Sequence, residues 1–330
     1  MEFNFIWVTN NEFNGHWTRI DNCRREERIM LVPIFGYGNN PNNPYNPNDR
    51  NTWGYNGGYN GPYKEVKYWV DICDEIKIPF YFPENRLVAI KKNHTTFHRT
   101  EIHMLTLEDN FQNFGFQEPS VLPETDDNWA FTSHNADIVA VKKNNTGTGS
   151  TEIHILKGDD GYLSYRRQTG TALPPTDDNW SFHMMDDDLV CIKKKFTGTN
   201  STEVHILDGS DNFQSFKFEA GTALHETDKN WAFAVMGEHL VCIKKNQTAS
   251  NTTEVHILDG NNNFDRFLLQ TSTALHMTDD TWEFAMWENN LVCIKKSGTE
   301  TNTTEVHILN GADNYQSFLL HTPTALPESF

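Results

Sequence analysis

Leu87-Val88-Ala89-Ile90-Lys91-Lys92 returns as Ile138 to Lys143, Leu189 to Lys194, Leu240 to Lys245 and Leu291 to Lys296. Each return falls 51 residues after the last, with no insertion or deletion. A fixed period of this length means one supersecondary unit copied five times. In the copy from Asn230 to Leu275, Trp231-Ala-Phe-Ala-Val-Met236 precedes the quoted run. A polar loop follows, then Thr252-Thr-Glu-Val-His-Ile-Leu258, a turn at Asp259-Gly260-Asn261-Asn262, and Phe264-Asp-Arg-Phe-Leu-Leu269. Four short runs rich in β-branched and aromatic residues, separated by Gly, Asn, Asp and Thr, read as four strands. Nothing in the copy carries helical apolar spacing over ten residues.

A four-stranded meander cannot bury both its faces alone, and radial closure of the copies covers every face. The predicted fold is therefore all-β, a β-propeller with one blade per copy. Trp129, Trp180, Trp231 and Trp282 are expected to open the innermost strands of four blades. In the first copy that place falls on Ile78-Pro-Phe-Tyr-Phe82, whose proline suits a strand start or an edge.

The formal net charge of −18 comes from 45 acids against 27 bases, and the Lys-Lys pairs are spread one per copy. No concentrated basic surface exists for phosphate, so neither nucleic acid nor an anionic membrane is an expected partner. No apolar run is long enough for a transmembrane helix. The N-terminus lacks the basic and apolar regions of a signal peptide, so a cytoplasmic location is expected, with non-classical secretion as the alternative. Sequons at Asn93, Asn144, Asn200, Asn246, Asn251 and Asn302 accordingly read as polar loop composition. Cys191, Cys242 and Cys293 share a position filled by Ala89 and Ala140 in the other copies. Cysteine trading with alanine is small-residue packing, not a disulfide or metal framework. Cys23 and Cys73 lie outside the copies and are the only candidates for a pair.

These residues resemble the FG-GAP/VCBS type of integrin-like propeller repeat, found also in some mushroom lectins. The resemblance rests on Leu-Val-x-Ile-Lys-Lys, Thr-Glu-Val-His-Ile-Leu, Phe-Gln-Ser-Phe, Thr-x-Thr-Ala-Leu and Asn-Trp, and covers about residues 78–326. It implies a propeller, a fold that hosts many roles. Repeats of that family usually carry a calcium loop between their first two strands. Here that interval is cut to Ala-Val-Met-Gly-Glu-His after Phe233, too tight to wrap six to eight oxygens around Ca²⁺. Calcium-independent binding is expected, and neither a metal nor a cofactor is assigned.

Two constellations recur. Glu-x-His on the third strand (Glu101/His103, Glu152/His154, Glu203/His205, Glu254/His256, Glu305/His307) places both side chains on one face. Metal binding or proton transfer is one reading. The preferred one is a ladder contact, with Glu facing a Lys of the neighbouring strand, because outer strands cannot converge on the axis. The link between blades carries Asp126, Asp177, Asp228 and Asp279 three residues before Trp129, Trp180, Trp231 and Trp282. An Asx turn accounts for the aspartates. A carboxylate beside an aromatic ring also suits a sugar, and these eight residues are the candidate ligand-binding set.

Residues 1–77 do not repeat. Phe3 to Val8, Arg28 to Phe35 and Lys64 to Ile72 read as strands of a degenerate sixth blade, with Phe3 to Val8 innermost. The Asn/Gly/Pro/Tyr-rich stretch 36–63 reads as a long loop. Residues 78–330 then form the five-copy propeller. The predicted function is a multivalent lectin binding glycans or glycoproteins between blades. The alternatives are a protein-interaction or toxin-targeting propeller using the 36–63 loop, and a glycoside-acting enzyme at the axial mouth. No nucleophile elbow, P-loop or zinc spacing is present, so no catalytic residue is assigned.

Overall fold

The second strand of every copy is a continuous apolar run, and continuous runs belong to strands covered on both faces. Leu240, Val241, Cys242 and Ile243 are all fully buried, as are their equivalents in the other copies. The computed structural model describes residues 2–9, 13–33, 63–82 and 85–329. For 13–33 and, Lys67 apart, for 63–82 it describes the backbone alone. Five four-stranded antiparallel sheets form the blades. Blade 2 comprises Trp129–His134, Asp137–Lys142, Glu152–Leu156 and Tyr165–Gly170. Blade 3 comprises Trp180–Met185, Asp188–Lys193, Ser201–Leu207 and Phe216–His225. Blade 4 comprises Trp231–Met236, His239–Lys244, Thr252–Leu258 and Phe267–His276. Blade 5 comprises Trp282–Trp287, Asn290–Lys295, Thr303–Leu309 and Phe318–Pro327. The four tryptophans open the first strands, as expected.

Blade 1 departs from the expectation. Its first strand is β1 (Phe3–Thr9), paired antiparallel with Asn85–Lys91 and followed by Arg99–Thr106 and Phe114–Pro123. The segment Ile78 to Phe82 lies instead in β3 (Tyr63–Phe82), which pairs with β2 (Phe13–Pro33) as a separate two-stranded sheet. The N-terminal residues therefore complete the first blade rather than begin a sixth. The reason is register: Phe3, Phe5 and Trp7 stand opposite Lys91, Ala89 and Leu87, just as Trp231, Phe233 and Val235 stand opposite Lys244, Cys242 and Leu240. By its contacts the chain divides into residues 1–16 with 79–330, and residues 17–78. Most of the 36–63 loop, and the side chains of Cys23 and Cys73, lie outside the described residues.

The first strands touch in a closed ring, blade 1 to 2 to 3 to 4 to 5 and back to 1. Each blade lays its Val/Ile face on the Phe/Cys/Leu face of the next. Val139, Val141 and Ile153 of blade 2 meet Phe182, Leu189 and Cys191 of blade 3. The closing contact sets Val292, Ile294 and Ile308 of blade 5 against Phe3, Phe5, Trp7 and Leu87 of blade 1. Burial of each such side chain contributes about 1.5–3 kcal/mol, so the ring closure is as strongly held as any other junction. Cys191, Cys242 and Cys293 are free, buried thiols within these interfaces, as their exchange with alanine predicts.

Candidate functional site

The link into each blade turns sharply, and its aspartate makes the turn. Asp126, Asp177, Asp228 and Asp279 accept a hydrogen bond from the backbone N–H two residues on, at 2.8–2.9 Å. The backbone carbonyl of each aspartate accepts from the N–H of its tryptophan. The Asx turn is thus present at all four links. The tryptophans are half-buried. A lysine ammonium lies 5.7–6.0 Å from the ring centroid of Trp129, Trp180, Trp231 and Trp282. The repeat histidine lies 5.0–5.1 Å away. The junction of blades 3 and 4 opens into a cavity of about 320 Å³, lined by Asp228, Asn230, Trp231, Lys244, Asn246 and Lys195 among others.

The sequence reading missed the fifth member of the set. Phe3 takes the tryptophan position in blade 1, with its ring 5.6 Å from His103. The signal was available in Phe3-Asn-Phe-Ile-Trp7, which alternates as Trp231-Ala-Phe-Ala-Val235 does.

The Glu-x-His pairs form ladders. The first lysine of each pair stands opposite the glutamate, and Lys91 bonds Glu101 at 3.0 Å. Each histidine packs between the aromatic ring of its first strand and one on the fourth, as His256 does between Trp231 and Phe267. Burial holds the imidazoles of His103, His154 and His256 below the ordinary range, although the adjacent glutamates pull the other way. Burial also pushes His183, on the first strand of blade 3, down to about 4. A histidine held neutral in the fold but titrating near 6.5 when unfolded stabilises the fold above that pH, and the contribution is lost as pH falls toward the folded value. The urea midpoint is therefore expected to fall steadily from pH 7 to pH 5, before the carboxylates titrate. A flat midpoint over that window would contradict the burial of these rings.

In blades 1, 2 and 4 the second lysine of the pair turns to the next link: Lys92 bonds Asp127 at 3.0 Å, Lys245 bonds Asp280 at 2.6 Å, and Lys143 bonds Asp178, whereas Lys296 bonds Glu283 on the first strand of its own blade at 3.0 Å. At the fourth blade the matching acid is replaced by Lys229. Burial lowers the Lys194 ammonium there, with Lys143 and Lys245 pushing the same way and Asp178 opposing.

A larger cavity, about 560 Å³, runs along the axis between the first strands. Phe5, Trp7, Phe131, His134, Asp187 and Met286 are among its walls, and His134 Nε2 meets Asp187 at 2.9 Å. Asp188 is spent on the backbone N–H of Gly209 and on Lys217. Asp187 and Asp188 therefore point to different partners.

No known family's sequence profile matches the chain, and no curated protein does. Among solved structures it is similar to puromycin hydrolase (16% identity, TM-score 0.30, 72% of this chain and 32% of that one). It is also similar to oligopeptidase B from Leishmania major (12%, 0.29, 71% and 31%). A third likeness is to a prolyl endopeptidase (10%, 0.32, 77% and 46%). The chain spans less than half the length of each. Likeness at this level carries no argument about function, and the five-bladed fold rests on the strands themselves.

Proposed function

We propose that the protein is a multivalent glycan-binding propeller of the FG-GAP/VCBS type, taking a sugar unit at its blade junctions. The observation that carries this reading is the cavity of about 320 Å³ between blades 3 and 4, where Asp228, Trp231 and Lys244 converge. A sugar presents hydroxyls to acceptors and donors and an apolar C–H face to an aromatic ring, and this cavity offers all three. The same Asp–Trp turn stands at three other junctions, so weak sites act together on a clustered glycan.

The test is a glycan array on the purified protein, with and without a chelator. Binding that survives chelation is expected. Asp228→Asn keeps the Asx turn, since Asn makes the same backbone bond, and removes the charged acceptor. It should weaken binding to a monovalent sugar at that junction. Combined with Asp177→Asn and Asp279→Asn, it should lower apparent affinity for a clustered glycan by about 10²-fold or more, as avidity is lost. An array with no binding would overturn the proposal and direct attention to the axial cavity, whose volume lies within the roughly 300–1,000 Å³ of small-ligand pockets.

A further inference from the structure

Blade 5 breaks the repeat at one position on its fourth strand. Opposite the repeat histidine the first four blades carry Gln117, Gln168, Glu219 and Gln270. Each of these side chains meets the histidine Nδ1, at 2.9 Å, 2.9 Å, 3.0 Å and 3.1 Å in turn. Blade 5 carries His321, directly across from His307. The two rings lie 4.0 Å apart, centroid to centroid, and 32° from parallel. Glu305, two residues before His307 on the same face, places a carboxylate oxygen 3.5 Å from His307 Nε2. That nitrogen is buried and without a hydrogen-bond partner. One donor atom from each of the three residues lies within 4.8 Å of the other two, and among the described residues this is the one such trio.

We propose that Glu305, His307 and His321 form a binding site for a divalent transition metal of the Zn²⁺ class. Two imidazoles and one carboxylate are a donor set for Zn²⁺ and its neighbours rather than for Ca²⁺ or Mg²⁺, which take oxygen. Register supplies the geometry: cross-strand neighbours and an i−2 residue share one face of the sheet. Tetrahedral Zn²⁺ needs its donors at about 2.0–2.2 Å from the ion, so the trio must draw in. Glu305 and His307 are buried and fixed by packing, with 8% and 6% of their surface exposed, whereas His321 is exposed and free to swing. Lys295, across from Glu305, is the cation with which a metal competes. Three protein donors leave a fourth position for water or an external ligand.

The test is calorimetric titration of the untagged full chain with ZnCl₂ at pH 7.5, beside His321→Gln. That substitution installs the residue used in three other blades, so the fold is expected to keep its unfolding midpoint. One Zn²⁺ per chain is expected for the parent, and His321→Gln should bind more weakly by at least the about 100-fold that even a supporting residue can cost. Absence of Zn²⁺ binding by the parent overturns the proposal. Equal affinity and stoichiometry in His321→Gln also overturns it, since the metal would then be held elsewhere.

Discussion

Gly260→Ala is expected to destabilise the protein by about 3 kcal/mol, the upper range for overpacking. A Cβ at Gly260 would lie 1.7 Å from the backbone oxygen of Glu238. Backbone cannot step aside as a long side chain can. Gly260 opens the short 3₁₀ turn between the third and fourth strands of blade 4, and Glu238 belongs to the tight turn between the first and second. The two connections touch because the N–H of Gly260 reaches back to His239 at 3.3 Å. Gly158, Gly209 and Gly311 make the same approach to Ala136, Asp187 and Asn289, at 2.2, 1.9 and 1.9 Å. Gly237, on the other side of this contact, is a different case. Its φ of +56° is left-handed, but nothing lies within 4 Å of its missing Cβ. Asn135 holds the equivalent position in blade 2 at φ 54°, and Asn tolerates that region. Gly237→Asn should therefore change stability by less than about 1 kcal/mol. Thermal unfolding of the two variants checks the pair, and similar losses in both would refute the close-approach argument.

The same contact shows what the sequence made legible. Every blade from the second to the fifth has this glycine, and the first has Leu107 in its place. Blade 1 is also the blade whose first and second strands are not joined by a tight turn, because residues 10–84 stand between them. With no turn to abut, the glycine requirement lapses. That correlation was present in the sequence. Its meaning needed the structure, because a glycine signals close approach without naming what approaches.

Strand content, the tryptophan starts and the Asx turns follow from local rules that act over a few residues, and the sequence reading found them. The partner of Asn85–Lys91 is a non-local choice. Phe3 to Val8 and Ile78 to Phe82 are both apolar strands that could serve the first blade, and no local rule ranks them. Nor did the copied lysine pairs announce their direction, since the acid that receives Lys92, Lys143 or Lys245 comes from the next link, 35 residues on. His321 was visible as a departure from Gln, yet its consequence depends on cross-strand register, which the repeat alone leaves open.

Two deletions should have opposite outcomes because the N-terminal residues do two jobs. Removing residues 1–9 takes away β1, and with it Phe3, Phe5, Ile6, Trp7 and Val8, all 8% exposed or less. At about 1.5–3 kcal/mol each, the loss is on the order of 10 kcal/mol, comparable with the whole stability of a typical domain, about 5–15 kcal/mol. It also strips blade 1 to three strands, breaks the Trp7–Trp287 and Trp7–Phe111 ring contacts at 6.0 and 5.9 Å, and removes the hydrogen bond that the Phe5 backbone N–H donates to the Glu283 carboxylate at 2.7 Å. Asn85–Lys91 would become an exposed apolar edge, which promotes aggregation. The expected result is an insoluble or unfolded chain. Replacing residues 10–84 with Asn-Gly is expected to leave a folded propeller. The pairing of β1 runs to Thr9 opposite Asn85, as that of blade 4 runs to Met236 opposite His239 before a two-residue turn, and Asn-Gly is a favoured two-residue hairpin turn. Circular dichroism and urea unfolding of both variants decide the matter. A folded chain without residues 1–9 would mean that blade 1 can recruit another first strand, and an unfolded Asn-Gly chain would mean that residues 10–84 carry part of the core.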